Sequence, residues 1–302
     1  MSRPDESLRV GDAARPRTLL ICHEGAELDR VGLAGWLASF TDLRGVVVLR
    51  ERGERMRRRV RRELKRVGAA RFLDVTAFRL YYKFFLAGED ARWERERLEE
   101  LRRTYPAPDV PVLYTHSPNT PEAEEFIRES GAEMVFARCK SLLKESVFSI
   151  PERGTFVMHP GVCPEYRNAH GCFWALASGD SGRVGMTLLK IDKGVDTGPV
   201  YGYYSYDFDE ARESHVRIQH RVVLENLDTL REKLLDIHAG RAVPLDTRGR
   251  ESATWGQPWL SSYLRWKRRA RRGARRAADK PSLERGGERR GGEGRGAEGG
   301  AG

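Results

Sequence analysis

Short apolar runs that alternate with helical patterns constrain the fold of this chain more than any other feature. The strand-like runs are RTLLICHEG, RGVVVLRE, VPVLYTHS, AEMVFAR and GTFVMHP. A helical pattern, ELDRVGLAGWLASF, follows the first run, and a second, NTPEAEEFIRESG, has a capping residue at Thr120, Pro121 at its first position and Gly131 at its end. Repeated strand and helix units predict an α/β fold with a doubly wound, mostly parallel sheet and right-handed crossovers.

The region after the fifth run completes one domain, which we place at residues 17–245. VGMTLLKID and PVYGYYSYDF form a predicted strand pair joined by KGVDTG, and a long helix over ESHVRIQHRVVLENLDTLREKLLDIHAG ends at Gly240. Residues 51–105 are predicted to be a helical insertion, since two highly charged helices flank the aromatic run FRLYYKFFL. A solvated face is the simpler interpretation of its arginines, and an anionic ligand is the alternative.

Both ends of the chain are predicted to be disordered. Residues 1–16 form the N-terminal segment, and residues 246–302 form a basic, largely disordered tail that is rich in Gly, Arg and Glu towards its end. Residues 263–302 hold thirteen Lys or Arg against five Asp or Glu, and therefore carry most of the net charge of +10. The body is nearly neutral, which does not support a nucleic-acid function for the whole chain. The tail is either simply solvated or contacts an anionic surface such as RNA, ribosomes or lipid.

The sequence also bounds the compartment and the metal chemistry. No apolar run approaches the roughly 20 residues of a membrane span, and the N-terminus lacks the apolar region of a secretory signal, so we expect a cytoplasmic protein. The four cysteines, without a CxxC pair, are expected to be reduced and buried. The histidines are scattered without a ligand motif, and no metal site is predicted.

The run MHPGVCPEYRNAHGCFW, residues 158–174, gathers polar and reactive groups in one short stretch. His159 ends a strand, where Pro160 turns the chain away and displays the imidazole towards the crevice beyond the carboxyl ends of the sheet. Asp196 lies in the glycine-rich turn KGVDTG. Separately, these residues are also explained as a structural histidine and a turn former. Together, a carboxylate beside an imidazole suits a site that stabilises an oxyanion and moves protons.

The sequence HPGVCPEYRNAHGCFWALASGD, followed by VGMTLLKIDKGVDTGPVYG, resembles the catalytic core of the 10-formyltetrahydrofolate-dependent formyltransferases. This family includes glycinamide ribonucleotide, methionyl-tRNA and amino-sugar formyltransferases. The resemblance is specific from about Ala132 to Gly202 and loose from Arg17 to Gly131. It implies a Rossmann-like fold and a transferase of one-carbon metabolism with 10-formyltetrahydrofolate as the formyl donor.

The resemblance also assigns roles to residues. His159 and Asp196 correspond to the catalytic histidine and aspartate, which implies attack of an unprotonated amine, a tetrahedral intermediate and departure of the folate nitrogen with proton transfer. The folate pocket falls on two stretches, with the residues Ser141, Leu142, Leu143, Ile191, Asp192, Gly194 and Val195. Exposed peptide edges beside apolar side chains suit a flat heteroaromatic ligand.

One residue departs from the family pattern at the catalytic position. Val157 stands where the family has an asparagine, and valine cannot donate a hydrogen bond to an oxyanion. We expect Asn168, and with it His170, to replace that amide. The alternative is that Asn168 forms a turn and His170 caps the helix GCFWALASG.

The acceptor is expected to be an amine on a small molecule, an amino sugar being one example. The loop CHEGAELDRVG is acidic, which does not favour phosphate binding there, and the residues after Gly240 are too few for a further tRNA-binding barrel. The alternative function is a catalytically silent folate-binding or regulatory protein on the same scaffold.

Overall fold

The computed structural model describes residues 15–50 and 68–278. Its central feature is a seven-stranded sheet with the strand order β3-β2-β1-β4-β5-β7-β8. The strands are β1 Arg17–His23, β2 Asp42–Leu49, β3 Val112–Thr115, β4 Met134–Arg138, β5 Gly154–His159, β7 Met186–Lys190 and β8 Val200–Tyr204. Strands β1 to β5 pair in parallel, and β7 and β8 pair antiparallel. The mostly parallel, doubly wound sheet predicted from the sequence is confirmed.

The helices lie between and after these strands. A π-helical turn, Leu28–Leu33, continues into α1 Ala34–Phe40, and a second, Tyr82–Leu86, connects α2, described over 68–81, with α3 Ala87–Thr104. The others are α4 Pro121–Glu129, α5 Glu145–Phe148, α6 Gly171–Ser178, α7 His215–Leu224, α8 Leu227–His238 and α9 Leu260–Ala278, with a 3₁₀ turn at Ser181–Arg183. A small parallel ladder joins β6 Arg167–Asn168 to β9 Thr254–Trp255.

The sheet is covered on both faces, as its continuous apolar strands require. In β1, Leu20 and Cys22 belong to the larger core cluster, which also contains residues of α1, α6, α7 and α8. Leu19 and Ile21 point to the opposite face and join a smaller cluster with Ile127 of α4. The side chains of β1 therefore alternate between two cores that cover the two faces of the sheet. The carboxyl ends of β1, β4 and β5 lie outside these cores.

Two helix boundaries test the sequence patterns directly. Helix α4 begins as predicted, because the Thr120 hydroxyl accepts a hydrogen bond from the peptide N–H of Ala123 at 3.2 Å, and Gly131 beyond its end has φ of +62°. The single long helix predicted after β8 is wrong, since the chain forms α7 and α8 instead. Asn226 leaves the helical path between them, and its side-chain amide donates to the carbonyls of Ser205 and Val222 at 2.9 and 3.0 Å.

The insertion is helical over residues 68–104, and residues 51–67 lie outside the described part. A buried hydrogen bond ties it to the domain: Asp90 of α3 accepts from the hydroxyl of Ser214, the capping residue of α7, at 2.7 Å. Burial raises the pKa of Asp90. The insertion therefore packs against α7, which also contacts β7.

The boundary of the predicted tail is corrected by α9. Tyr263 and Trp266 are buried, and Trp266 contacts Phe173 with ring centroids 6.4 Å apart. The buried Lys267 ammonium donates to the carbonyl of Glu210 at 2.8 Å, and burial lowers the pKa of Lys267 to about 8. In the sequence of α9, the many arginines surround a narrow stripe of apolar residues at helical spacing, and this stripe is the buried side of the helix. Residues 1–14 and 279–302, on which the remaining predictions of disorder fall, lie outside the described residues.

Candidate active site at the ends of β5 and β7

His159 is the last residue of β5, and its imidazole is almost fully buried. Nε2 lies 3.0 Å from the carbonyl oxygen of Tyr166. A carbonyl can only accept, so Nε2 carries the hydrogen of this bond. The loop can close over the ring because residue 161 is glycine: a Cβ there would lie 2.6 Å from the Tyr166 oxygen and 3.0 Å from His159 Nε2.

Asp196 meets the other side of the same imidazole. Its Oδ2 lies 3.5 Å from His159 Nδ1 and accepts the peptide N–H of Asn168 at 2.7 Å. The carboxylate is thus held in place to accept from Nδ1 when the ring is doubly protonated. The structure brings together the two groups that the sequence analysis pairs.

In the glycine-rich turn that carries Asp196, the left-handed backbone does not fall on a glycine. The residue with the left-handed backbone is Asp196 itself, with φ of +52°. Gly198 serves a close approach instead, because a Cβ there would overlap the carbonyl of Lys190. Asp192 orders the turn, since its Oδ1 accepts from the peptide N–H of Gly194 at 2.9 Å and from the Thr197 hydroxyl at 2.7 Å.

Val157 replaces the family asparagine, and Asn168 is the residue expected to supply the missing amide. Val157 is half-buried and packs against an apolar cluster that contains Cys163, Leu189 and Val200. Asn168 lies beside the site, but its side-chain amide donates to the carbonyl of Trp255 at 2.6 Å. In this conformation, Asn168 supports Asp196 through its backbone, and its amide is engaged elsewhere.

The side chain of His170 packs against α7. The residue occupies the N-cap position of α6 with φ of +57° and makes no side-chain capping bond. Its Nδ1 instead lies 3.3 Å from Oε1 of Gln219 on α7, and burial lowers the pKa of His170 to about 4. Its ring lies 6.0 Å from that of His215, which is also buried with a lowered pKa. His170 is therefore a neutral, packed side chain at neutral pH.

The two stretches assigned to folate lie next to each other. An ion pair at 3.0 Å joins Lys193, inside the turn 191–195, to Glu145, just after the stretch 141–143. Asn119 holds the latter stretch, because its side chain donates to the Leu142 carbonyl and accepts from the Lys144 N–H, both at 2.8 Å. Among the hydrogen bonds of residues 15–50 and 68–278, none uses the peptide N–H of residues 141 to 143. The side chain of Leu142 is exposed beside these donors.

An ion pair behind the site was missed by the sequence analysis. Arg138, at the end of β4, donates to Asp29 at 2.9 Å and to the carbonyl of Met158 at 2.5 Å, so it bridges three neighbouring segments. Each side chain of the pair is only 11% exposed. The sequence does carry a signal for this pair: Arg138 ends β4, and Asp29 follows β1, the strand beside it. Charged residues that follow adjacent parallel strands meet at the same end of the sheet.

The insertion contributes a further pair at this edge. Glu94 of α3 lies 3.5 Å from Nε2 of His220 on α7. Burial lowers the pKa of His220 to about 4 and raises that of Glu94, so the charged form of each is disfavoured. Helix α3 thus places polar side chains beside the strand ends, which the charge pattern alone did not indicate.

The described residues limit other chemistries. Burial raises the pKa of Cys163 and of Cys172 to about 12, so neither thiol is a ready nucleophile. Within residues 15–50 and 68–278, no group of three or more His, Cys, Asp or Glu side chains is arranged to hold a metal ion. No helix in that part of the chain is both long and apolar enough to span a bilayer.

Part of the chain, including the candidate site, matches a known family model. Residues 95–234, which contain His159, Asp196 and both folate stretches, match the family model described as formyl transferase. The methionyl-tRNA formyltransferase of Sorangium cellulosum (strain So ce56) is 34% identical over 93 residues, 30% of each chain. That of Pelobacter propionicus is 30% identical over 139 residues, 46% of this chain and 43% of the relative. The chain thus spans less than half the length of these two curated relatives.

Two solved structures align with this chain at low sequence identity. A sugar N-formyltransferase from Shewanella sp. aligns with a TM-score of 0.47 and 12% identity over 79% of this chain and 76% of that chain. A phosphoribosylglycinamide formyltransferase from Anaplasma phagocytophilum aligns with a TM-score of 0.49 and 13% identity over 81% of this chain and 100% of that chain.

Proposed function

We propose that the protein transfers a formyl group from 10-formyltetrahydrofolate to an amine on a small molecule, because residues 95–234 match the formyl transferase family model. The observation that carries the proposal is the contact between His159 and Asp196, 3.5 Å apart at the strand ends. Both side chains lie inside the matched region.

The residues beside this pair fit a folate. A pterin presents a planar apolar face and an edge of hydrogen-bonding groups, which suits exposed peptide N–H groups next to an apolar side chain. The N–H groups of Ser141, Leu142 and Leu143 supply that edge, and the exposed Leu142 side chain supplies the apolar contact. The ion pair between Lys193 and Glu145 holds the stretch Ile191 to Val195 beside these groups, which supports its assignment to the other side of the pterin. When bound, the donor supplies the activated formyl carbon.

His159 and Asp196 then perform the proton chemistry. Nδ1 is the ring nitrogen without a hydrogen in this arrangement, so it takes up the amine proton, and Asp196 then accepts from the protonated ring. The imidazolium charge stabilises negative charge on the reacting carbonyl oxygen, and the proton passes to the folate nitrogen as the bond between that nitrogen and the formyl carbon breaks. The Tyr166 carbonyl sets the orientation of the other ring nitrogen. The acceptor must arrive as the free amine, since an ammonium has no lone pair with which to attack.

A second candidate function rests on a separate observation. Val157 offers no donor, and the amide of Asn168 is engaged by Trp255. Loss of one such donor costs about 10²–10³ in rate in other enzymes. These contacts support the alternative of a folate-binding or regulatory protein that does not turn over.

One experiment separates the two functions. Purified full-length protein is incubated with 10-formyltetrahydrofolate and separate pools of amino sugars, amino acids and aminoacylated tRNA, and donor loss and formylated product are measured. We expect turnover with a small-molecule pool, and a loss of roughly 10²–10⁴-fold in His159→Ala or Asp196→Asn. The matched controls, His238→Ala and Asp236→Asn, lie on α8 and should retain the wild-type rate.

The other outcomes are equally informative. Turnover of the aminoacylated tRNA pool alone would replace the small-molecule acceptor with a tRNA-linked one. Folate binding by calorimetry without turnover of any pool would support the silent function. Absence of folate binding would refute both.

A further inference from the structure

Helices α2 and α9, from the insertion and from the C-terminal region, lie side by side. Asp74 of α2 accepts the peptide N–H of Ser261 at 3.0 Å, and the rings of Tyr81 and Tyr263 lie 5.5 Å apart. The guanidinium of Arg71 lies 4.5 Å from the ring of Trp259, just before α9. The uncovered faces of the two helices therefore belong to adjoining parts of the surface.

The uncovered face of α2 is apolar. Val75 and Phe78 point into the domain and are buried. Four large side chains of α2 and the following π-helical turn are instead 52% to 71% exposed, and we call them the apolar ridge: Leu73, Leu80, Phe84 and Phe85. Leu73, Leu80 and Phe84 recur at helical spacing and so share a face. Contiguous exposed apolar side chains of this size mark an interaction surface.

The uncovered face of α9 is strongly basic. The helix contains no acidic residue, and its outward side exposes six arginines, which we call the basic face: Arg265, Arg268, Arg271, Arg272, Arg275 and Arg276. Among the ion pairs formed by the described residues, none involves these arginines. The acidic loop 207–213 contacts α9 at Trp266 and Lys267 and lines a pocket together with Arg269, whose guanidinium donates to the carbonyl of Leu176. Arg269 is therefore not counted in the basic face.

We propose that the apolar ridge and the basic face together dock the protein on the surface of an anionic lipid bilayer. Arginines at the level of the headgroups are attracted by anionic lipid, while leucine and phenylalanine side chains enter the boundary of the acyl chains. Charge alone would suit RNA equally well. The exposed leucines favour lipid. Leucine side chains do not bind phosphate groups, whereas their transfer from water into the acyl-chain region is favourable.

Vesicle binding by the full-length protein tests the proposal. Flotation is measured with vesicles of phosphatidylcholine alone and of phosphatidylcholine with about one third phosphatidylserine, at low and high salt. We expect binding at least tenfold tighter to the anionic vesicles, weakened by salt. The ridge variant, Leu80→Ser with Phe84→Ser, and the basic variant, Arg268→Ser with Arg272→Ser, should each weaken it about tenfold or more.

Matched controls change exposed residues of the same type elsewhere. Val243→Ser with Leu245→Ser, and Arg102→Ser with Arg103→Ser on α3, should bind within about twofold of wild type, with circular dichroism to confirm folding. The proposal is overturned if wild type ignores anionic vesicles, or if the ridge variant binds them as wild type does.

Two further results would reassign the surface. Tight binding of polyuridylate RNA that is lost in the basic variant but kept in the ridge variant, with no vesicle binding, would make it an RNA surface. A dimer by light scattering that the ridge variant converts to a monomer would mean that a second copy covers the ridge.

Discussion

Replacing Arg138 by methionine should destabilise this protein far more than the loss of an ordinary ion pair. The guanidinium lies 2.9 Å from Asp29, and both side chains are 11% exposed. Arg138→Met removes the positive partner and leaves a buried carboxylate without compensation, which costs about 3–5 kcal/mol. This is a large part of the ~5–15 kcal/mol by which most domains are stable.

Urea unfolding, followed by tryptophan fluorescence, measures the effect. With a denaturant dependence of about 3 kcal/mol/M for a domain of this size, the midpoint should fall by roughly 1 M or more. The double variant Asp29→Asn with Arg138→Met should recover part of the loss, because the charge that lacks a partner is gone. As the matched control, Arg128→Met breaks the exposed pair with Glu125 and should cost less than about 1 kcal/mol. If Arg138→Met costs no more than this control, the buried pair does not stabilise the fold more than an exposed one.

Three further predictions concern the histidines, the loop over the active site and the C-terminal helix. Burial lowers the pKa of His170 and His220 to about 4 from 6.5, so the unfolded chain binds more protons between these values and stability should fall as the pH drops from about 6.5 to about 4. The free energy of unfolding should fall by up to about 3 kcal/mol through His170 alone. Urea midpoints of wild type and His170→Asn are measured across this pH range, and an equal dependence on pH in the two proteins would contradict the lowered pKa of His170. Gly161→Ala should lower the free energy of unfolding by about 1–3 kcal/mol and lower activity, because the added methyl group meets the Tyr166 carbonyl and the His159 imidazole. Wild-type stability of this variant in the same urea titration would show that the close approach is absent. Trp266→Ala removes a fully buried ring and should lower the free energy of unfolding by about 3–5 kcal/mol, whereas the control Arg272→Ala, at an exposed position, should change it by less than about 0.5 kcal/mol. If Trp266→Ala is as stable as wild type, α9 does not belong to the core.

Several features of the molecule were determined by local sequence alone. Continuous apolar runs such as RTLLIC and VVVL predicted the parallel strands, because a strand covered on both faces has no polar side. Thr120 and Gly131 defined the ends of α4 through hydrogen bonds and dihedral angles that involve only near neighbours. His159 at a strand end and Asp196 in a turn were identified from sequence, as was the resemblance to the formyltransferases.

Other features depend on partners far away in the chain, and only the tertiary structure decided them. The amide of Asn168 is engaged by Trp255, and His170 is buried against α7, so neither side chain's role follows from its neighbours in sequence. Helix α9 looks like a solvated basic segment until its apolar stripe meets Phe173 and the rest of the core. Periodicity and capping depend on contacts within a few residues, whereas burial and the pairing of polar groups depend on which distant segments meet. Distant contacts of that kind leave no local pattern in the sequence.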